Sequence, residues 1–183
     1  SGNNIGIKEL AKAIDFYWNN KREELLKSST AIMNIIKSFG YERGKGLDES
    51  IFNENFSLLS NNFDVEYGGF GNDLKFPPYN NLFFLTKYYQ ISKDQKALEM
   101  VEKTLDAIRC GGIFDFVAGG IHRYATDRFW VLPHFEKMLY DQALISILYS
   151  KAYLISQKKI YLETSKEIVN YCLEYLKNPE GGF

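Results

Sequence analysis

The 183-residue chain is long enough for one domain with a substantial core. Hydrophobic residues make up 45% and charged residues 25%, the usage of an ordinary globular protein. With 22 Lys+Arg against 23 Asp+Glu the net charge is −1, which excludes a general nucleic-acid binder, a class that needs a basic footprint. No apolar run reaches membrane-span length and no signal-peptide pattern opens the chain, so no membrane partner is expected; two cysteines without a CxxC pair fit a reducing, cytoplasmic location.

Ser1-Gly2 lacks a Met and reads as a tag remnant, leaving residues 3–183 as a single all-helical domain. Ile7 to Phe39 spaces apolar residues by three and four (Leu10, Ile14, Tyr17, Trp18), and Ser28, Ser29 and Thr30 suit the cap of a second helix before Ile32. Gly40 to Gly46 is a loop. Asp48 to Asn62 is a helix with Ile51, Phe52, Phe56, Leu58 and Leu59 as its buried set. Phe63 to Asn80 carries Gly68, Gly69, Gly71, Pro77 and Pro78, which break any helix. Helices resume over 81–91 and 94–110, the second with Ala97, Leu98, Val101, Leu105 and Ile108 on one face. Gly111 to Pro133 is irregular, with short extended pieces near Ile121 to Tyr124. Two last helices, 134–156 and 159–176, are joined so briefly that they form an antiparallel hairpin.

Gly-Gly-apolar triplets at 68–70, 111–113 and 181–183 each follow a helical stretch. They read as a repeat in which a left-handed glycine ends a helix and turns the chain back, so that helical pairs array around an axis or along a solenoid. Cys110 and Cys172 form no CxxC pair and read as buried free thiols. Aromatic content is high at 16%; most of it is expected in the core, with a minority of rings free to stack on a ligand.

The stretch from Gly111 to Gln142 holds both histidines, together with Asp115, Arg123, Tyr124, Asp127, Arg128, Trp130, Glu136, Lys137, Tyr140 and Asp141. A long ordered loop is uncommon unless it does something. Pro133 suits the first helical position, which places His134 in the first turn. There the helix dipole keeps an imidazole neutral, fit to be a general base or simply a polar cap. His134, Met138 and Asp141 then share one face. His122 follows Gly119-Gly120, which permit close backbone approach, and the neighbouring Arg123 disfavours its imidazolium. The structural alternative is a loop pinned by Arg123 to Asp115 or Asp127. The spacing of the two histidines matches no zinc pattern, and neither metal nor cofactor is expected. The glycine-rich loop from Asp64 to Pro77 matches neither a Walker loop nor a dinucleotide fingerprint. Its Lys75 pairs with Asp64 or Asp73, or points at a ligand.

Three blocks are distinctive in combination. They are Asp64-x-x-Tyr67-Gly-Gly-Phe-Gly71 with Lys75-Phe76-Pro77; Gly111-Gly112-Ile113-x-Asp115 with Gly119-Gly120-x-His122-Arg123-Tyr124; and the run from Pro133 to Asp141. Together they resemble the YyaL-type family, which includes the spermatogenesis-associated thioredoxin-domain proteins, from about residue 15 to the end. The resemblance implies a fragment, about half, of a C-terminal (α/α)6 toroid similar to six-hairpin glycosidases and N-acylglucosamine 2-epimerases. A thioredoxin-like domain would lie upstream and the second half of the ring, with its acidic loop, downstream. The sequence departs from the family at Phe116 (commonly His), Ala118 (Gly) and Leu74 (Pro).

The implied function is carbohydrate-active, with a small sugar as ligand. In an epimerase-like reaction His134 and His122 would pass a proton beside a carbonyl. In a hydrolase-like one Asp115 and Asp141 would flank the bond. Arg123, Tyr124, Trp130, Glu136, Tyr67 and Lys75 are the expected substrate-binding residues. The alternative is a non-catalytic scaffold partnered with a redox domain, which expects both histidines buried against backbone with no open pocket. Half a ring would expose apolar helix faces, so self-association is expected.

Overall fold

Helical periodicity becomes helix almost throughout. The computed structural model describes residues 6–40, 48 and 50–183; the expected tag remnant, Ser1-Gly2, and residues 41–46 of the expected loop lie outside them. The helices are α1 (Ile7–Asn20), α2 (Arg22–Gly40), α3 (Ser50–Asn62), α4 (Tyr79–Ser92), α5 (Gln95–Cys110), α6 (Leu139–Ser156) and α7 (Lys159–Tyr171), the last running on into a π-helical turn, Cys172–Leu176. Two dipeptide strands, β1 (Tyr124–Ala125) and β2 (Pro133–His134), pair antiparallel with Tyr124 opposite His134 and Ala125 opposite Pro133.

The chain divides into two compact units, Ser1–Asp48 and Glu49–Phe183. In the first, α1 packs on α2. The helix breaks at Lys21 (φ −144°), not at Ser28 to Thr30. Thr30 does not cap a new helix; its hydroxyl donates back to the Leu26 carbonyl at 2.9 Å and the helix continues.

In the second unit α4/α5 and α6/α7 are hairpins, and α4 packs on α6. Their tight turns use left-handed Lys93 and Gln157 (both φ 59°), whose N–H groups close on the Tyr89 and Tyr153 carbonyls. Asp94 caps α5 by accepting from the Lys96 N–H at 2.9 Å. The stripe Ala97, Val101, Leu105 and Ile108 is buried, joined by Met100 and Thr104. It meets Leu82 and Leu85 of α4, Ile145, Leu148 and Tyr149 of α6, and Tyr161 and Ile168 of α7 in one core. In α3, Phe56 and Leu59 are partly buried against that core, whereas Ile51, Phe52 and Leu58 are exposed. Both cysteines are free, but Cys110 is exposed and Cys172 only half-buried, contrary to the sequence expectation.

Two local expectations fail for identifiable reasons. Pro133 does not open a helix: it and His134 form β2, and α6 starts five residues past His134, at Leu139. Gly111 is not left-handed (φ −82°). It and Gly112 are glycines because a Cβ at either would collide with the Trp130 or Val131 carbonyl oxygen.

The true repeat is a different one. After α3, Asp64 Oδ1 accepts the Glu66 and Tyr67 N–H groups, the Asp64 N–H donates to the Gly69 carbonyl, and the Gly68 N–H returns to the Asp64 carbonyl. After α5, Asp115 does the same with Val117, Ala118, Gly120 and Gly119. After α7, Asn178 repeats it one residue shorter with Glu180, Gly182 and Gly181. Bridges Phe63 to Phe70 and Phe114 to Ile121 flank the first two turns. Gly68-Gly69 therefore corresponds to Gly119-Gly120 and Gly181-Gly182, and Gly111-Gly112 stands outside the series.

Candidate functional site

The ten residues singled out by sequence fall into two groups. Lys75, Tyr67, Trp130, Asp115 and His122 belong to the turns, while Tyr124, His134, Arg123, Glu136 and Asp141 gather where α4 and α6 begin.

In the first turn the Lys75 ammonium reaches Asp64 Oδ2 and the Gly68 carbonyl, both at 2.6 Å, with the two side chains 1% and 0% exposed. Arg128 adds hydrogen bonds of 2.7 and 2.9 Å to the same carboxylate. Burial pushes the Asp64 pKa up, but the bonds from Arg128, Lys75 and the two backbone N–H groups outweigh it, and the carboxylate lies well below its usual range. Lys75 therefore points at no ligand. Trp130 is fully buried, with Nε1 donating to the Tyr67 carbonyl at 3.0 Å. Its left-handed backbone (φ 65°) is held by Asp127, which accepts the Phe129, Val131 and Leu132 N–H groups. The Tyr67 ring packs edge-on to Phe129 and under the Arg128 guanidinium.

In the second turn Lys137 reaches Asp115 Oδ2 at 2.7 Å and the Gly119 carbonyl at 2.8 Å. Burial raises the Asp115 pKa, but Lys137 and the turn N–H groups outweigh it and bring it down to about 2. Both Asp115 oxygens are thus committed, which leaves a hydrolase pair of Asp115 and Asp141 without geometric support. His122 is buried. Its Nδ1 lies 3.2 Å from the Phe135 carbonyl and its ring is edge-on to Phe135. Burial, with some help from Lys137, lowers its pKa and keeps it neutral; Arg123, the cause expected from sequence, takes no part. The Gln142 side chain bonds both the N–H and the carbonyl of Ile121, tying this turn to α6.

The other group forms an open face. Opposite pairing in the short ladder stacks His134 on Tyr124 (5.0 Å, 12°), and Phe76 stacks on the far side of Tyr124 (4.6 Å, 25°). Phe76 is 52% exposed, and the His134 side chain 44%. Arg123 pairs with neither Asp115 nor Asp127; it binds Glu136 Oε2 at 2.8 Å, with His134 Nδ1 3.7 Å from the same oxygen. Deeper in, Asp141 is 3% exposed. Oδ1 accepts from the Tyr79 hydroxyl at 2.9 Å, while Oδ2 is buried with no hydrogen-bond partner, as is Arg123 Nε. Burial raises the Asp141 pKa against the lowering pull of Tyr79 and Arg123. The Asp141 carboxyl thus has one oxygen without a partner, linked to the open face through Arg123, whose charge acts on it, and an unpaired buried oxygen is equipped to accept a hydrogen bond.

Sequence reading missed Phe76 and Tyr79. The available signal was the repeat: Tyr79 stands four residues after Lys75, and Asp141 four after Lys137. Among the described residues no three His, Cys, Asp or Glu side chains converge as a metal site, and no helix is long and apolar enough to cross a membrane.

Helix pairs punctuated by repeated turns, with polar groups gathered at the helix starts, define a segment of an (α/α) toroid. That fold is found in a sugar epimerase from a ruminal bacterium (TM-score 0.60, 18% identity, covering 72% of this chain and 38% of that one). It recurs in cellobiose 2-epimerase from Bacillus thermoamylovorans (TM-score 0.58, 17% identity, the same coverage). No family model matches the chain. The chain is homologous along its length to spermatogenesis-associated protein 20, the kinship its motifs suggested: it is 35% identical to the human protein over 188 residues, 98% of this chain and 24% of that protein. An uncharacterised Caenorhabditis elegans protein is 29% identical over 186 residues. The chain spans about a quarter of the length of these relatives.

Proposed function

We propose that the face formed by Phe76, Tyr124, His134, Arg123, Glu136, Tyr79 and Asp141 binds a small neutral sugar and serves proton transfer beside its carbonyl. The observation that carries this reading is the exposed Phe76–Tyr124–His134 stack, accompanied by an Asp141 Oδ2 that has no partner. A stack of flat rings suits the C–H face of a sugar, and a buried carboxyl oxygen suits one of its hydroxyls. In the reaction His134 removes the proton from the carbon next to the carbonyl of an open-chain sugar. The electron pair moves into an enediolate facing Arg123, and the Asp141 carboxyl, whose pKa burial raises, returns a proton to that carbon. Proton exchange with solvent resets both groups. The epimerase neighbours support this class through fold alone.

The second reading, a binding or scaffold module beside a thioredoxin-like domain, is favoured by a specific observation: His122, Asp115, Lys75 and Trp130 all spend their polar groups inside the loops. The test is saturation-transfer NMR on glucose, mannose and cellobiose in D2O. Transfer to sugar protons that is lost in Tyr124→Ala supports the site. Deuterium entering next to the carbonyl, and lost in His134→Ala, supports the chemistry. Binding without exchange favours the second reading, and no binding overturns the proposal.

A further inference from the structure

We infer that Lys75 and Lys137 are equivalent positioning residues of an internal repeat, each locking an Asp-turn-Gly-Gly hairpin to the start of the next helix so that Tyr79 and Asp141 meet. Both lysines do the same thing. Each ends an irregular stretch, each ammonium bridges the turn's aspartate and the carbonyl of its first glycine, at 2.6 to 2.8 Å, and each is followed within four residues by a helix. The Lys75 backbone is also paired on both sides with Ala125 of β1. Tyr79 and Asp141, the residues four past each lysine, are hydrogen-bonded to each other. They are 62 positions apart, the same separation as divides Lys75 from Lys137. Tyr79 opens α4 and Asp141 lies in the first turn of α6, so the two helix starts that follow the lysines converge.

The physical link is short. Four residues span at most about 14 Å even when extended. A lysine whose ammonium is fixed by two acceptors therefore confines the first turn of the helix that follows. The aspartate cannot move to accommodate a shift, because its other oxygen accepts two turn N–H groups. Releasing the lysine frees the helix start and lets Tyr79 and Asp141 drift apart. This inference rests on Asp141 being a working group of the proposed site, but its readout needs no substrate. It therefore stands or falls separately from sugar binding.

The experiment is a carbon-13 NMR titration of the Asp141 carboxyl in the chain and its variants. Loss of the Lys137 charge would by itself raise the Asp141 midpoint, so the variant is also read in a Tyr79→Phe background, where an electrostatic shift persists and a shift caused by displacing Tyr79 disappears. The expected result for Lys137→Met is an upward shift of the Asp141 midpoint by about half a pH unit, the scale of one weakened hydrogen bond, with partial return in Lys137→Arg. Leu105→Ala, a core truncation of at least equal destabilisation, should leave the midpoint where it is. If Lys137→Met does not fold, Asp115→Asn keeps the turn acceptor but sets an amide N–H against the ammonium, removing the lysine's partner, and should give a shift of the same sign. An unmoved Asp141 midpoint in folded Lys137→Met or Asp115→Asn, a shift that persists in the Tyr79→Phe background, or an equal shift in Leu105→Ala, overturns the inference.

Discussion

Replacing Lys75 by Met keeps most of the buried stem and removes only the ammonium. Asp64 then loses a 2.6 Å partner, and the Gly68 carbonyl loses the hydrogen bond from that ammonium. Breaking a fully buried ion pair by deleting one side costs about 3–5 kcal/mol. Arg128 still holds Asp64 through two hydrogen bonds, which places this case at the lower end, about 3 kcal/mol. For a chain of this size that is a fall of about 6–12 °C in Tm. The Lys137–Asp115 pair is less enclosed, at 10% and 23% side-chain exposure, so Lys137→Met should cost about 1–2 kcal/mol. The pH dependence has a definite sign. Asp64 has a depressed folded pKa, so its stabilisation is complete above the ordinary carboxylate range and is lost as pH falls through the folded value. The gap between wild type and Lys75→Met should therefore be full at pH 7 and shrink in strong acid. Urea unfolding followed by circular dichroism at several pH values measures it. A cost under about 1 kcal/mol, or a larger cost for Lys137→Met than for Lys75→Met, would refute the burial reasoning.

Tyr79→Phe removes the one hydrogen bond to Asp141, so it should raise the Asp141 midpoint further and cost about 1–3 kcal/mol; carboxyl NMR and chemical denaturation check the two effects. His122 is held neutral by burial, so unfolding takes up a proton below its unfolded pKa and stability should fall from pH 7 to pH 5. His122→Gln should flatten that slope by up to about 1.4 kcal/mol per pH unit, and an unchanged slope counts against the buried neutral imidazole. Gly112→Ala drives a Cβ onto the Val131 carbonyl oxygen and should destabilise by about 3 kcal/mol or more; a Tm equal to wild type would show that this close approach can relax.

Sequence periodicity was sufficient wherever one helical face is buried against several neighbours. The α5 stripe, apart from the half-buried Leu98, and the α6/α7 hairpin stand as read. It misled where local chemistry had two outlets. Pro133 satisfies a helix start as well as a strand edge, and the pairing of Tyr124 with His134 chose the strand. Ser28 to Thr30 suit a cap, yet Thr30 bonds back along its own helix. Gly111-Gly112 mimics the repeat, but those glycines answer the close passage of Trp130 and Val131.

The sequence by itself determined the helical-pair architecture, the kinship, and the stretches that hold polar side chains, because hydrophobic spacing and turn residues act over a few positions. Only the tertiary structure decided which of those side chains are spent and which are available. Lys75 and Asp115 are consumed by partners 11 and 22 positions away, whereas Asp141 meets Tyr79 across 62. Such pairings depend on how one helix start is held against another, and no local pattern encodes that.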